Sequence, residues 1–360
     1  MTTTQAANNL LAAAKAGRKD EFYTQLSDIE KELRHYRKHF KSKIVYCNCD
    51  DPRASNFFRY FSYNFEKLGL KKLVAACYKN QDADLFSQND AERAVYLEYE
   101  GDKDGDRIPG PDEIEVKHFE GDGDFRSAET IELLKQADIV VTNPPFSLIK
   151  EYVAQLVKYK KQFLIIGNMN AVTYNEIFRL FQNNQMWYGP SIRSGDREFG
   201  VPADYPLTAA GTRVDEAGNK FVRVKGVRWF TNLDYPERHE DLILYKSYTP
   251  DEYPTYVNYD AIDVSSYKDI PADYDGVIGV PITLLDYFSP DQFEIIGNSD
   301  DSDQMRELGV RPLGREFVDA YRAQGGTGHR SPGMRMLGLM EPKPRIVFKR
   351  ILVRRKDTAS

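Results

Sequence analysis

The stretch ADIVVTNPPFSLIKEY, residues 137–152, does most to limit what this chain can fold into. The run from Ile139 reads as a buried strand, and it stops on Asn143, Pro144, Pro145 and Phe146. Two prolines directly after a strand donate no ladder hydrogen bonds and stiffen the backbone. SLIKEYVAQLVKY follows as a helix and QFLIIGN as another strand. Upstream, KIVYCNCDDP reads as a strand over residues 43–47 ending in a polar turn. ASNFFRYFSYNFEKLG is an aromatic-rich helix closed by Gly69, and KKLVAACY is the next strand. Between these blocks, AVYLEYEGDKDGDRIPGPDEIEVKHFEGDGDF has the form of a hairpin insert, followed by the serine-capped helix SAETIELLKQA. Residues 21–40 carry helix formers, with Ile29, Leu33 and Tyr36 near helical spacing.

Alternation of this kind predicts an α/β fold built on a mostly parallel sheet with helices on both faces. Parallel strands would bring the polar turns CNCDDP, GDGDF, TNPPF and GNMNAVTY to one carboxyl edge, where ligands of such sheets bind. After about residue 185 the chain becomes strand-rich, with prolines and tyrosines in its connections and PRIVFKRILVRR as a closing strand. The expected division is a core over residues 1–185, and over 186–360 the remainder of the sheet plus a C-terminal recognition elaboration.

Composition narrows the class. No run of about 18 apolar residues occurs, so no membrane span is expected, and the N-terminus lacks the pattern of a signal peptide. Three cysteines form neither a disulfide framework nor a CxxC pair, and five histidines are scattered; we expect no metal and a reducing cytoplasmic setting. DKDGD (102–106) has the look of a calcium loop, but the closing glutamate falls at the wrong spacing. The net charge of −6 hides an asymmetry: residues 97–124 are heavily acidic, whereas residues 305–356 hold 13 Lys and Arg against 4 Asp and Glu. A basic C-terminal third suits a lobe facing DNA, and solvated surface is the plainer reading.

The NPPF tetrapeptide suits one chemistry in particular. An amino group on an aromatic base is a poor nucleophile, because its lone pair is delocalised into the ring. The side-chain carbonyl of Asn143 and the backbone carbonyl of Pro144 would accept its two hydrogens and favour a pyramidal nitrogen. Phe146 would stack on the base, which is worth ~1–3 kcal/mol. No strong general base is needed. A rigid turn is the plain alternative; the position after a buried strand favours function.

Taken together, IVYCNCDDPRASNFFRYFSYNFEKLGLKKLVAACY, GDGDFRS, ADIVVTNPPFSLIKEY, IIGNMNAVTYNEIF and VKGVRWFTNLD resemble the EcoRI-type adenine-specific DNA methyltransferase family over about residues 21–356. The resemblance implies a Rossmann-like methyltransferase sheet, S-adenosyl-L-methionine as cofactor, double-stranded DNA as partner and a target base flipped from the duplex; a monomer suffices to methylate one strand per visit. It implies that Phe22, Tyr23 and Thr24 of DEFYTQ lie near the methionine end of the cofactor. Asn48, Asp50 and Asp51 of CNCDDP would contact its polar groups, and Asp124 and Phe125 its adenine ring. The glycine-rich loop of many methyltransferases is absent here; the turn is CNCDDP. Motif order places target recognition after about residue 185, with Arg193, Arg197, Arg223, Arg228, Arg330 and Arg335 as candidates for phosphate or base contacts. GGTGHRSPGMR (325–335) is glycine-rich and basic. Methylation of RNA or of a protein glutamine amide, and a catalytically silent DNA-binding scaffold, stand as alternatives.

Overall fold

The computed structural model describes residues 22–49, 55–76, 94–201, 205, 211–326, 335–347 and 349–356. The chain divides into two compact units, Met1–Ala171 with Tyr188–Tyr235, and Val172–Trp187 with Pro236–Ser360. Tyr188–Tyr235 thus returns to the first unit, so neither unit is one unbroken stretch of chain.

In the first unit β1 (Tyr23–Thr24) precedes α1 (Leu26–Leu33), which runs on as a 3₁₀ turn, Arg34–His39. β2 (Ile44–Asn48), α2 (Asn56–Tyr63), α3 (Phe65–Leu68) and β3 (Lys72–Ala76) follow. Next come the hairpin β4 (Val95–Tyr99) and β5 (Ile114–His118), then α4 (Ala128–Gln136), β6 (Ile139–Thr142), α5 (Ile149–Lys158) and β7 (Gln162–Asn168). β8 (Trp187–Tyr188), β9 (Asp196–Val201), β10 (Thr212–Val214), β11 (Lys220–Lys225) and β12 (Val227–Thr231) complete its strands among the described residues.

Local chemistry accounts for several boundaries. The Ser55 hydroxyl accepts from Phe57 N at 3.2 Å to cap α2, and that of Ser127 accepts from Thr130 N at 3.3 Å to cap α4. Gly69 ends α3 at φ 64°, a left-handed cap that favours glycine. The aromatic-rich segment breaks into α2 and α3 at Asn64, and Tyr23–Thr24 form strand rather than the start of a helix.

The main sheet has the order β5-β4-β3-β2-β6-β7-β12-β8. Its centre, β3-β2-β6-β7, is paired in parallel, and every residue of β6 is buried, as befits a strand covered on both faces. The expectation of a mostly parallel sheet is corrected: β4 pairs antiparallel with both β3 and β5, and β12 antiparallel with β7, so the sheet is mixed. The first reversal is at β4, which its hairpin also sets against β5. The second arises because β12 enters directly from β11, a strand of another sheet, across Gly226 at φ 69°. That other sheet, β1-β9-β11-β10, is wholly antiparallel.

The acidic loop of the β4–β5 hairpin is held by its own backbone. Asp102 accepts from Gly105 N at 2.6 Å and Arg107 N at 2.9 Å, Asp104 from Asp106 N at 3.0 Å, and Asp106 from Ile108 N at 2.7 Å. The bonds that Asp102 accepts, that from Gly105 first and then that from Arg107, hold its carboxyl below the usual range. The three carboxylates converge because each caps a peptide N–H of the turn.

The second unit contains α6 (Asn175–Gln182), β13 (Ala261–Asp263), β14 (Val277–Pro281), β15 (Phe293–Asn298), α7 (Ser302–Glu307), α8 (Arg315–Ala323), β16 (Leu337–Leu339), β17 (Arg345–Val347) and β18 (Arg350–Arg355). A four-stranded sheet, β13-β14-β18-β15, packs on Met305, Val310, Leu337 and Leu339, and β16 pairs with β17. The segment PRIVFKRILVRR is therefore two strands in different sheets, not one, with Lys349 at φ 53° between them. Buried Asp263 accepts from Tyr256 Oη at 2.6 Å and Arg350 Nε at 2.9 Å, so its charge is paired. Among the described residues no helix is long and apolar enough to cross a membrane.

Candidate active site

The strand order creates one natural crevice. β2 leads to β3 on one side, while β6 leads to β7 on the other. Right-handed crossovers then put α2 and α3 on one face and α4 and α5 on the other. The connections diverge beyond the carboxyl ends of β2 and β6, where ligands of open α/β sheets bind. Asn48 and Cys49 stand at the end of β2, and residues 143–146 at the end of β6.

Both strand ends are shaped by backbone chemistry. Cys49 adopts φ 81°, the region a glycine would occupy at no steric cost. A non-glycine residue there is strained by roughly 1–3 kcal/mol, so the surroundings must hold it. The cysteine thus makes the sharp exit that the glycine-free turn otherwise lacks. At β6 the prolines end the ladder; the Pro145 carbonyl accepts from Leu148 N at 2.9 Å, and the chain winds through Phe146–Leu148 into α5.

Asn143 is 5% exposed, and its Nδ2 donates to the backbone carbonyl of Phe22 at 2.5 Å. A carbonyl can only accept, so the amide must present its NH2 to Phe22 and its oxygen the opposite way. That oxygen, Asn143 Oδ1, is buried with no hydrogen-bond partner, as are the hydroxyls of Thr142 and Thr24. Buried acceptors without partners are uncommon and call for a reason. The strap holding Phe22 is itself fixed: Asn56 Nδ2 donates to the Thr24 carbonyl at 2.8 Å, and β1 pairs with β9 through Tyr23–Gly200 and Thr24–Phe199.

Phe146 is buried in an aromatic cluster. Its ring centroid lies 5.7 Å from that of Phe22 and 6.3 Å from that of Phe199, and Phe22 also meets Tyr205 at 6.4 Å. Sequence reasoning found Phe22 and Phe146 but not Phe199 or Tyr205, which carry no local motif. Only the pairing of β1 with β9 brings Phe199 in.

The GDGDF loop reaches the site through α5. Asp124 is clasped by its near neighbour: Arg126 Nε meets Oδ1 at 2.8 Å and Nη2 meets Oδ2 at 2.7 Å. Oδ1 also accepts from Arg126 N at 2.8 Å, so the carboxylate is firmly oriented. The Phe125 carbonyl accepts from Gln155 Nε2 at 2.8 Å, and its ring meets Tyr152 edge-on at 5.1 Å. The hydroxyl of Tyr152 donates to Asn48 Oδ1 at the end of β2. Burial holds that hydroxyl well above the ordinary phenol range, so it stays protonated. Arg126, Tyr152 and Gln155 were not singled out from the sequence; Arg126, two residues after Asp124, was legible as an ion-pair partner. Asp50 and Asp51 lie outside the described residues.

The arginines separate into distinct surroundings. Arg193, Arg197, Arg223 and Arg228 belong to the first unit and Arg335 to the second; Arg330 lies outside the described residues. Arg223 is exposed and lines a cavity with Gly195, Asp196 and Glu198. Arg197 is half-buried on the opposite face of the sheet, and its Nη1 donates to the Asp196 carbonyl at 3.0 Å. Arg335 N donates to Ser302 Oγ at 3.1 Å. Arg228 is only 4% exposed; its guanidinium donates to the Val227 and Arg193 carbonyls, each at 2.8 Å. It therefore clamps the loop bearing Arg193. Buried Glu32 pins the same loop, accepting from Ser191 N at 2.9 Å and Tyr36 Oη at 2.8 Å. Its position four residues before Tyr36, on the apolar stripe of α1, was the available signal. Arg228→Ala is expected to lower stability by about 1–3 kcal/mol through the orphaned carbonyls. Chemical denaturation checks this; unchanged stability with weakened DNA binding would assign Arg228 to the DNA surface instead.

Comparisons with known proteins place the chain in a family. Residues 10–356 match the model of the family described as adenine-specific methyltransferase EcoRI. The Type II methyltransferase M.EcoRI of Escherichia coli is 52% identical over 293 residues, 81% of this chain and 89% of that protein. Type II methyltransferase M.MpnI of Mycoplasma pneumoniae is 41% identical, covering 79% of this chain and 83% of its own. M.MgeORF184P of Mycoplasma genitalium is 39% identical over 79% and 84% respectively. No solved structure matches.

Proposed function

This chain belongs to the EcoRI family of adenine-specific methyltransferases and methylates adenine in DNA; on that footing we propose that it acts on the exocyclic amino group of an adenine flipped out of the duplex, held at Asn143. The observation that carries this reading is the orientation of the Asn143 amide. Phe22 takes its NH2, and its buried oxygen has no partner. That oxygen and the Pro144 carbonyl accept the two amino hydrogens of adenine, which draws the nitrogen lone pair out of conjugation. The acceptors are positioned before the base arrives, so little reorganisation is needed in the transition state. Phe146 stacks on the base, and Phe22 and Phe199 close the apolar wall beside it.

Membership of a methyltransferase family implies S-adenosyl-L-methionine, which supplies an electrophilic methyl group on a sulfonium sulfur. The crevice suits it on two counts: a turn at Cys49 lets backbone come close, and the Thr24 hydroxyl is buried without a partner. Asn48, Asp124, Phe125 and the strap Phe22, Tyr23 and Thr24 would hold it. Asp50 and Asp51, which follow Cys49 directly, are candidates by position. The methylated amine is acidic enough to lose its proton to water, so no residue need act as a strong base.

DNA contacts fall to Arg193, Arg197 and Arg223 in the first unit, and to Arg330, Arg335 and the basic 305–356 stretch in the second, which we assign to target recognition. The test is transfer of radiolabelled methyl from S-adenosyl-L-methionine to unmethylated genomic DNA, with the product base identified by mass spectrometry and mapped by sequencing. Label on the adenine amino group within one short motif is expected. Label in RNA or protein alone would overturn the substrate.

A further inference from the structure

We propose that Tyr152 is the positioning residue of the cofactor side of this site, locking the turn at the end of β2 to the GDGDF loop and to the helix that follows the NPPF motif. The inference rests on the methyltransferase reading above and adds a residue to it. Tyr152 is fully buried on α5, six residues after Phe146. Its hydroxyl donates to Asn48 Oδ1. The Cys49 thiol is a second hydrogen-bonding neighbour, and Phe125 packs edge-on against the ring at an interplanar angle of 67°. One side chain thus touches two of the three loops that converge on the crevice, and its own helix follows directly on the third.

The physical need for such a lock follows from the turn it holds. Cys49 sits at φ 81°, a conformation a non-glycine residue keeps only when its surroundings impose it. Asn48 is 5% exposed, so water does not readily replace a lost hydrogen bond to its side-chain oxygen. Without the Tyr152 hydroxyl the asparagine turns to seek another partner, the Cys49 turn relaxes towards ordinary φ, and the surface offered to the cofactor is lost. The ring, by contrast, continues to support Phe125. Hydroxyl and ring therefore have separable roles, and the Asn143 amide is held by a different group, the Phe22 carbonyl.

The test uses the full-length protein and S-adenosyl-L-homocysteine as the titrated probe. Tyr152→Phe removes one oxygen and keeps the ring. Its affinity for the probe, by calorimetry, is expected to fall roughly 10–100-fold, with kcat at saturating cofactor within about threefold and DNA affinity unchanged. In an Asn48→Ala background the same substitution is expected to have no further effect, because its partner is already gone. A purely structural hydroxyl would lower the melting temperature and leave probe affinity intact, which overturns the proposal. So does an undiminished Tyr152→Phe penalty in the Asn48→Ala background. Should the wild-type protein itself fail to bind the probe, the methyltransferase reading falls first.

Discussion

Asn143→Ala is expected to reduce single-turnover methylation on the order of 10²–10³-fold or more, while affinity for duplex DNA stays within a few-fold of wild type. The asymmetry follows from burial. Asn143 is 5% exposed, too enclosed to touch the phosphodiester backbone that dominates affinity. Its contribution is confined to the transition state: one preorganised acceptor for an amino hydrogen, whose loss returns the lone pair to the ring. The substitution also frees the Phe22 carbonyl, now bonded to Asn143 Nδ2, so a stability loss of about 1–3 kcal/mol accompanies it. Rate and stability are therefore measured together, the first in rapid-quench single turnovers and the second by urea denaturation. Activity within tenfold of wild type would remove Asn143 from the chemistry and with it the proposed mechanism.

Gly189→Ala is expected to cost about 3 kcal/mol or more of stability, a large effect for one methyl group. A Cβ there would lie 1.9 Å from Glu32 Oε1, 2.8 Å from Glu32 Cδ and 2.9 Å from Trp229 Cβ. A glutamate on the surface would swing aside. Glu32 cannot, because it is fully buried and both its oxygens are engaged, by Tyr36 Oη and by Ser191 N. Moving it breaks two hydrogen bonds to a buried carboxylate and releases the loop that Arg228 clamps from the other side. The urea midpoint should fall with an unchanged slope, and methylation should fall with the fraction folded. A shift of less than about 0.5 kcal/mol, the range of ordinary surface substitutions, would show that the loop accommodates the methyl and that Glu32 is not its anchor.

How much of this was legible depended on the distance over which each signal acts. Pro144 and Pro145 end a strand wherever they occur, because neither has an N–H, so the break after β6 was readable without a structure. The same holds for Gly69 at its helix end and for Ser127 as a cap, both satisfied within a few residues. Phe22 shows the limit. DEFYTQ contains helix-compatible residues, yet Tyr23 and Thr24 are strand because β9, some 175 residues away, offers them a ladder. Arg228 shows it differently: an arginine read as a DNA contact is buried, its charge shared among backbone carbonyls that no sequence pattern announces.

By itself the amino-acid sequence determined the alternation of strand and helix around β2, β3, β6 and β7, the point at which β6 must stop, and the residue types placed there, since each follows from local backbone chemistry and side-chain period. Only the tertiary structure decided that the sheet is mixed, that the Asn143 amide turns its oxygen away from Phe22, and that Tyr152 joins two motif loops to the helix of a third. Those outcomes depend on which distant N–H, C=O and hydroxyl groups meet when apolar strands are buried, and a polar group removed from water takes the partner that packing brings to it.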